Sequence, residues 1–180
     1  MVQLHKLLGN KKNLHLLTFF LDNPSQEFTY TETQKQTKLS KATLTKWLSF
    51  LTKEDLLTLK LIGRNKLYQL QKDSTIVKQL KILISLQKLT FLREIATKHQ
   101  VEIYLYGSTA RGEDNEKSDI DILIIGAITR EKIFSLIEKQ TKTLKRPIQF
   151  QIFTSIEWTK CATADRAFYE RVEKDKIKLQ

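Results

Sequence analysis

Along residues 13–21 apolar side chains recur at helical spacing: Leu14, Leu17 and Leu21 form a stripe that Leu16 and Phe20 widen, and Asp22-Asn23-Pro24 ends it. A short extended piece holding Phe28 follows. The polar stretch 31–38 then reads as a helix, and Leu39-Ser40 makes a tight connection in which Ser40 suits an N-cap. In the next helix, 41–52, Leu44, Trp47, Leu48 and Leu51 fall at i, i+3, i+4 and i+7, which leaves Lys41, Thr43, Thr45 and Lys46 on the outer face. Trp47 is expected to anchor the core. Segments 58–62 and 66–70 flank Gly63-Arg64-Asn65, the pattern of a β-hairpin with a basic tip.

The second half changes period. Over 74–98 the positions Ile76, Leu80, Leu83, Ile84, Leu86, Leu89, Leu92 and Ile95 are helical and apolar on more than one side. They predict one long helix, or two with a break near Thr90, that must be covered by neighbouring domains or by a second copy of the chain. Strands are expected at 101–106, 119–125 and 148–154. Between them lie a short helix with a charged loop (109–117) and an amphipathic helix at 130–145, with Ile133, Leu136, Ile137 and Leu144 inward. The tail, 156–178, reads as helical, in one or two pieces. No Gly/Pro-rich linker, repeat or low-complexity tract interrupts the chain.

With 180 residues, 41% apolar and 28% charged, the chain has room for one domain or two small ones. Its apolar runs are too short to span a bilayer, and residues 1–10 lack a signal-peptide core, so a cytoplasmic protein that makes no use of a membrane is expected. The single cysteine, Cys161, can form no internal disulfide and reads as a small core residue; His5, His15 and His99 share no ligand spacing. The net charge of +11 is uneven: residues 1–73 carry 12 Lys and Arg against 6 Asp and Glu, residues 74–100 carry 5 against 1, and residues 101–180 carry 14 against 13. The basic excess of the first hundred residues suits a polyanion, double-stranded DNA foremost, or a solvated lysine-rich surface.

The chemistry concentrates in Tyr104-Leu105-Tyr106-Gly107-Ser108-Thr109-Ala110-Arg111-Gly112 and in Ser118-Asp119-Ile120-Asp121-Ile122-Leu123-Ile124-Ile125. By strand periodicity Asp119 and Asp121 share one face, and two carboxylates that close repel unless a cation neutralises them. Oxygen-only ligation of this kind suits Mg2+ or Mn2+. Gly107 lets backbone approach a ligand, and Ser108 adds a hydroxyl and an amide at the start of a helix, where phosphate is favoured. Gly-Ser followed after about ten residues by Asp-x-Asp resembles the nucleotidyltransferase superfamily that includes DNA polymerase β, and its minimal, single-domain branch most of all. Arg111-Gly112 and Ser118 match as well.

The resemblance implies a small α/β domain with a short mixed sheet over 74–180, in which 74–100 is a linking helix. It further implies that a nucleoside triphosphate, ATP included, is bound through Gly107 and Ser108, with the metal on Asp119 and Asp121. Arg111 either contacts phosphate or pairs with a neighbouring acid. Relatives of this branch work beside a helical partner protein as toxin and antitoxin, which makes such a partner an expectation. The order helix, helix, turn, helix, hairpin over 13–71 resembles a winged helix-turn-helix, giving an α+β chain whose α-rich winged domain covers 1–73. Lys41, Thr43, Thr45 and Lys46 would then read DNA from the recognition helix, and Arg64 and Lys66 from the wing. The same fold can instead serve dimerisation or hold another protein.

The pattern breaks at one place. The resemblance implies a third carboxylate on the strand at 148–154, where Gln149 stands by register and Gln151 shares its face. An amide oxygen adds no charge, so a site for two metals becomes a better site for one. Glu157, beyond that strand, is expected at the surface. Three functions therefore stay open: a nucleotidyltransferase placed on DNA, a DNA-binding regulator whose second domain senses nucleotide, and a module that only holds partners.

Overall fold

The computed structural model describes residues 4–144 and 146–179, except for the side chains of 4, 6, 135, 136 and 139. The chain is α+β, as expected, and divides into two compact units, Met1–Lys78 and Gln79–Gln180. The sequence placed the division at 73/74; the contacts place it inside a helix.

The first unit runs α1 (Leu4–Leu8), α2 (Lys11–Asp22), β1 (Phe28–Thr29), α3 (Tyr30–Thr37), α4 (Lys41–Lys53), β2 (Leu57–Ile62) and β3 (Asn65–Leu70). Helix α1 was not expected. Asn10 caps α2, its side chain accepting from Lys12 N and Asn13 N, and Thr29 caps α3 in a reciprocal capping box with Glu32. The stripe on α2 is rotated from the one read in sequence: Leu16, Leu17, Phe20 and Leu21 are buried, while Leu14 is exposed. On α4 the expected set of Leu44, Trp47, Leu48 and Leu51 is buried. Strands β2 and β3 form a hairpin whose two-residue tip is Gly63-Arg64. Gly63 takes φ +58°, which the first central position of a tight hairpin turn demands, and β1 adds to β3 to complete the sheet β1-β3-β2.

Helix α5 (Thr75–Lys88) carries the chain across the division and leads, after a break at 89–91, to α6 (Leu92–His99). Then follow β4 (Glu102–Tyr106), the single turn α7 (Gly107–Ala110), β5 (Ile120–Ile125), α8 (Arg130–Leu144), β6 (Ile148–Phe153), α9 (Ser155–Ala164), α10 (Arg166–Asp175) and β7 (Ile177–Lys178). The expected inward side chain of Leu136, and Lys145 as the helix end, lie outside the described residues. The sheet order is β6-β5-β4-β7, with β5 parallel to β6 and antiparallel to β4. The tail corrects the sequence reading: it gives two helices but ends as a strand, β7, paired with β4.

Strand β5 is central and covered on both faces, which accounts for its nearly continuous apolar run. Ile120, Ile122 and Ile124 enter one core with Leu92, Ile95, Ile103, Leu105, Ile133 and Phe150. Leu123 and Ile125 enter a second, with Tyr104, Tyr106, Trp158, Cys161 and Val172. Each such aliphatic side chain contributes about 1.5–3 kcal/mol by leaving water. Asp121, half-buried, is the polar position on the second face.

Candidate active site

The site forms where β4 hands over to α7 and β5 begins. Gly107 takes φ +74°, a conformation costly for any side chain, and a Cβ built there would lie 2.5 Å from Asp121 Oδ2. The glycine is therefore required twice, by its backbone angle and by the carboxylate pressed against it. Register pairs Asp121 with Tyr106 on one side and with Gln149 on the other. Burial, and then the charge of Asp119, push the Asp121 carboxyl above the usual carboxylate range, while Arg171 and Arg111 pull it back. The Tyr106 hydroxyl is raised by its own burial and by Asp121.

Asp119 departs from the expected placement. It precedes β5 rather than opening it, because Pro147 has no N–H to extend the ladder and only accepts, from Ile120 N at 2.9 Å. The stretch that carries Asp119 is held instead by side chains. Arg146 donates to Ser118 O from Nε (3.0 Å) and Nη2 (2.9 Å), and Thr109 Oγ1 donates to Asp119 O at 3.4 Å. Arg146 Nη1 also meets Asp114 Oδ2 at 2.6 Å, and Lys81 of α5 meets Asp114 Oδ1 at 2.9 Å and donates to its carbonyl. Lys81 and Asp114 are both buried. This three-residue ionic cluster was not found in sequence, although a lysine on the same face of α5 as Val77 was a signal that a buried acid must lie opposite.

Tyr106, Gly107, Ser108, Arg111, Asp121, Gln151, Phe168 and Arg171 line a cleft of about 420 Å³. Arg111 takes the second of its two expected fates: its Nε meets Glu113 at 2.9 Å and its Nη1 meets Asp175 of α10, which together raise its already high pKa. Phe168 packs edge-on to Tyr106 with ring centres 6.1 Å apart, and Arg171 lies 5.4 Å from the centre of the Phe168 ring. Phe168 and Arg171 escaped the sequence reading, since nothing local says that α10 returns to the glycine turn. Gln149 is exposed beside Asp121, and Glu157 caps α9 at the surface through its capping box with Thr154. Cys161 is buried, its thiol pushed up chiefly by burial. Among the described residues no three His, Cys, Asp or Glu side chains gather as a metal cage. Two carboxylates that repel each other beside a cradle too tight for a Cβ do fit one hard divalent cation.

The nucleotidyltransferase domain family matches residues 87–178, slightly more than half of the chain. The chain belongs to that family. Nucleotidyl transfer is thus the general class of its chemistry, and the second unit is its nucleotidyltransferase domain. No curated protein sequence matches the chain. Among solved structures, reduced HlyU from Vibrio cholerae N16961 is similar at 28% identity over 43% of this chain and 76% of its own, with a TM-score of 0.36.

The basic residues expected to read DNA lie outside the nucleotidyltransferase domain, and the structure separates them. Thr45, Arg64 and Lys66 line one cleft of about 720 Å³ between α4 and the hairpin, together with Tyr30, Ser49, Thr52, Lys53 and Tyr68. Lys41, Thr43 and Lys46 do not line it. Thr43 accepts from the Ser40 hydroxyl at 2.9 Å as part of the α4 cap, and Lys46 Nζ lies 4.9 Å from the centre of the Trp47 ring. Thr45 Oγ1 and Tyr30 Oη are 3.2 Å apart, and Tyr30 Oη donates to Lys41 O at 3.0 Å. No helix among the described residues is long and apolar enough to cross a membrane.

Proposed function

We propose that this chain transfers a nucleoside monophosphate from a Mg- or Mn-bound nucleoside triphosphate to an acceptor, and that its first unit is a winged helix-turn-helix that places it on duplex DNA. The observation that carries the first half is Asp121: a carboxyl raised by burial and by Asp119, pressed against a glycine that leaves room for nothing larger. Such a pair is costly alone and favourable around a cation. Asp119 and Asp121 would hold the metal, which when bound neutralises phosphate charge and makes the α-phosphorus more electrophilic. Gly107 and Ser108 present backbone and hydroxyl to the phosphates. The acceptor oxygen bonds to the α-phosphorus, the bond to the bridging oxygen breaks, pyrophosphate leaves with the electron pair, and the acceptor proton passes to water. A helical partner protein, modified with adenylate, is the acceptor class we would test first.

A second reading is favoured by Gln149. Standing beside Asp121 in the β5–β6 register, it supplies an amide where a carboxylate would bind a further cation. The domain would then bind nucleotide and transfer slowly, as a sensor attached to a DNA-binding unit. Labelled transfer with purified protein, Mg2+ or Mn2+ and candidate acceptors separates the two. Activity that Asp119→Ala abolishes supports the enzyme; an inert wild type that gains activity as Gln149→Asp supports the sensor. If no triphosphate binds in the presence of either metal, both fail.

The winged reading rests on the order of three helices and a hairpin, on the basic excess of this half, and on the cleft that collects Thr45, Lys53, Arg64 and Lys66. Lysines, arginines and hydroxyls around one groove are the chemistry of phosphate contact.

A further inference from the structure

The cleft contains two arginines in opposite electrostatic situations. Arg111, the one in the glycine-serine motif, has its guanidinium engaged by two carboxylates, Glu113 and Asp175. That cluster carries one positive and two negative charges, so an approaching polyanion meets a net repulsion there. Arg171 is exposed at the same cleft and forms no ion pair with any described residue. Its guanidinium is near the Phe168 ring, a contact that orients the side chain without consuming its charge. It shares the lining of the cleft with Gly107, Ser108 and Asp121.

We propose that Arg171 of α10, and not Arg111, is the guanidinium that grips the polyphosphate of the bound nucleotide. This rests on the reading of the cleft as a triphosphate site. A guanidinium offers two parallel N–H donors to phosphate oxygens, and Arg171 has both to give. Arg111 serves instead to tie α7 to α10, holding the glycine turn against the helix from which Arg171 reaches in.

The test is calorimetric titration of the full chain with magnesium tripolyphosphate, and with the magnesium complexes of the four common ribonucleoside triphosphates. Arg171→Gln should weaken binding by about tenfold to a hundredfold, the scale of charge-assisted hydrogen bonds. Arg171→Lys should recover part of the loss, keeping charge but not the fork. Arg111→Gln should weaken binding less than Arg171→Gln while lowering the melting temperature more. Exposure of Arg171 keeps its variants folded, which a thermal melt confirms. Wild-type binding with Arg171→Gln unchanged, or with Arg111→Gln the more damaging change, overturns this assignment and leaves the triphosphate reading standing. Failure of the wild type to bind any of these probes overturns both.

Discussion

Asp114 is the side chain whose loss should cost the nucleotidyltransferase domain most for a single change of charge. It is 5% exposed, lies between Lys81 at 2.9 Å and Arg146 at 2.6 Å, and supports the segment that carries Asp119. Asp114→Asn keeps the shape and removes the charge, leaving a lysine of 6% exposure without its counter-ion. Removing one partner of a buried ion pair costs about 3–5 kcal/mol. Lys81 keeps the Asp114 carbonyl as an acceptor and Arg146 keeps Ser118 O, so the lower end applies. About 3 kcal/mol over a urea slope near 2 kcal/mol/M moves the midpoint down by about 1.5 M. Lys81→Met should cost much less, because Asp114 remains neutralised by Arg146. The assay is urea unfolding followed by Trp158 fluorescence in a Trp47→Phe background, which isolates this domain. A loss under about 1 kcal/mol for Asp114→Asn, or equal losses for the two variants, would falsify the argument.

Asp121 should show the opposite sign. Its folded pKa is raised, so ionising it costs stability as pH rises past the ordinary carboxylate value; at neutral pH without divalent metal, Asp121→Asn should melt above wild type. Adding Mg2+ should raise the wild-type melting temperature and leave the variant unmoved, and a lower-melting variant in the absence of metal would remove the repulsion argument. The Tyr104 hydroxyl is pushed up to about 12, first by burial and then by its hydrogen bond to Glu102. An acid whose folded pKa is raised loses stability as pH rises above its unfolded value, so stability should fall between about pH 10 and 12, and Tyr104→Phe should flatten that fall. In the first unit, Lys46→Ala with Arg64→Ala should weaken duplex DNA binding and reduce the salt slope by about 2; an unchanged slope would take these side chains out of any phosphate contact.

What the sequence revealed follows from the range of the forces involved. Leu44, Trp47, Leu48 and Leu51 could be placed in the core because helix periodicity is local. The same holds for the alternation of β6, whereas the apolar pattern over 74–98 left one helix or two open and the structure has two, parted at 89–91. The α2 stripe was displaced because Leu14 and Leu16 flank Leu17 from opposite sides of the helix, about 200° apart, and the local pattern does not say toward which of them the buried face extends. Strand β7 went unseen because Ile177 and Lys178 carry no pattern of their own; β4 recruits them, with Leu179 N donating to Ile103 O. Asp119 was misplaced by one residue for a nonlocal reason, the proline that opens the neighbouring strand. Gly107, Ser108 and Asp121, which line one cleft, could be grouped from spacing because fewer than fifteen residues join them, while Asp119 of the same motif is not among the lining residues. Arg171, Asp175 and Lys81 act across the fold, and only their burial or their partners make them visible.

The electrostatics of the cleft follow from that last group. Among the side chains that line it, Asp121 is the carboxylate and Arg111 and Arg171 are the cations; Asp119 acts on Asp121 from nearby, and Glu113 and Asp175 occupy the Arg111 guanidinium. A bare triphosphate entering such a site would add negative charge to a region already short of positive charge. The same triphosphate complexed to magnesium would bring its own neutralisation, and on the proposed reading the two aspartates would serve as ligands instead of obstacles. On the proposed reading this excess of acids would favour the metal complex over the free nucleotide, and Arg171, which forms no ion pair with a described residue, would be the cation free to hold phosphate.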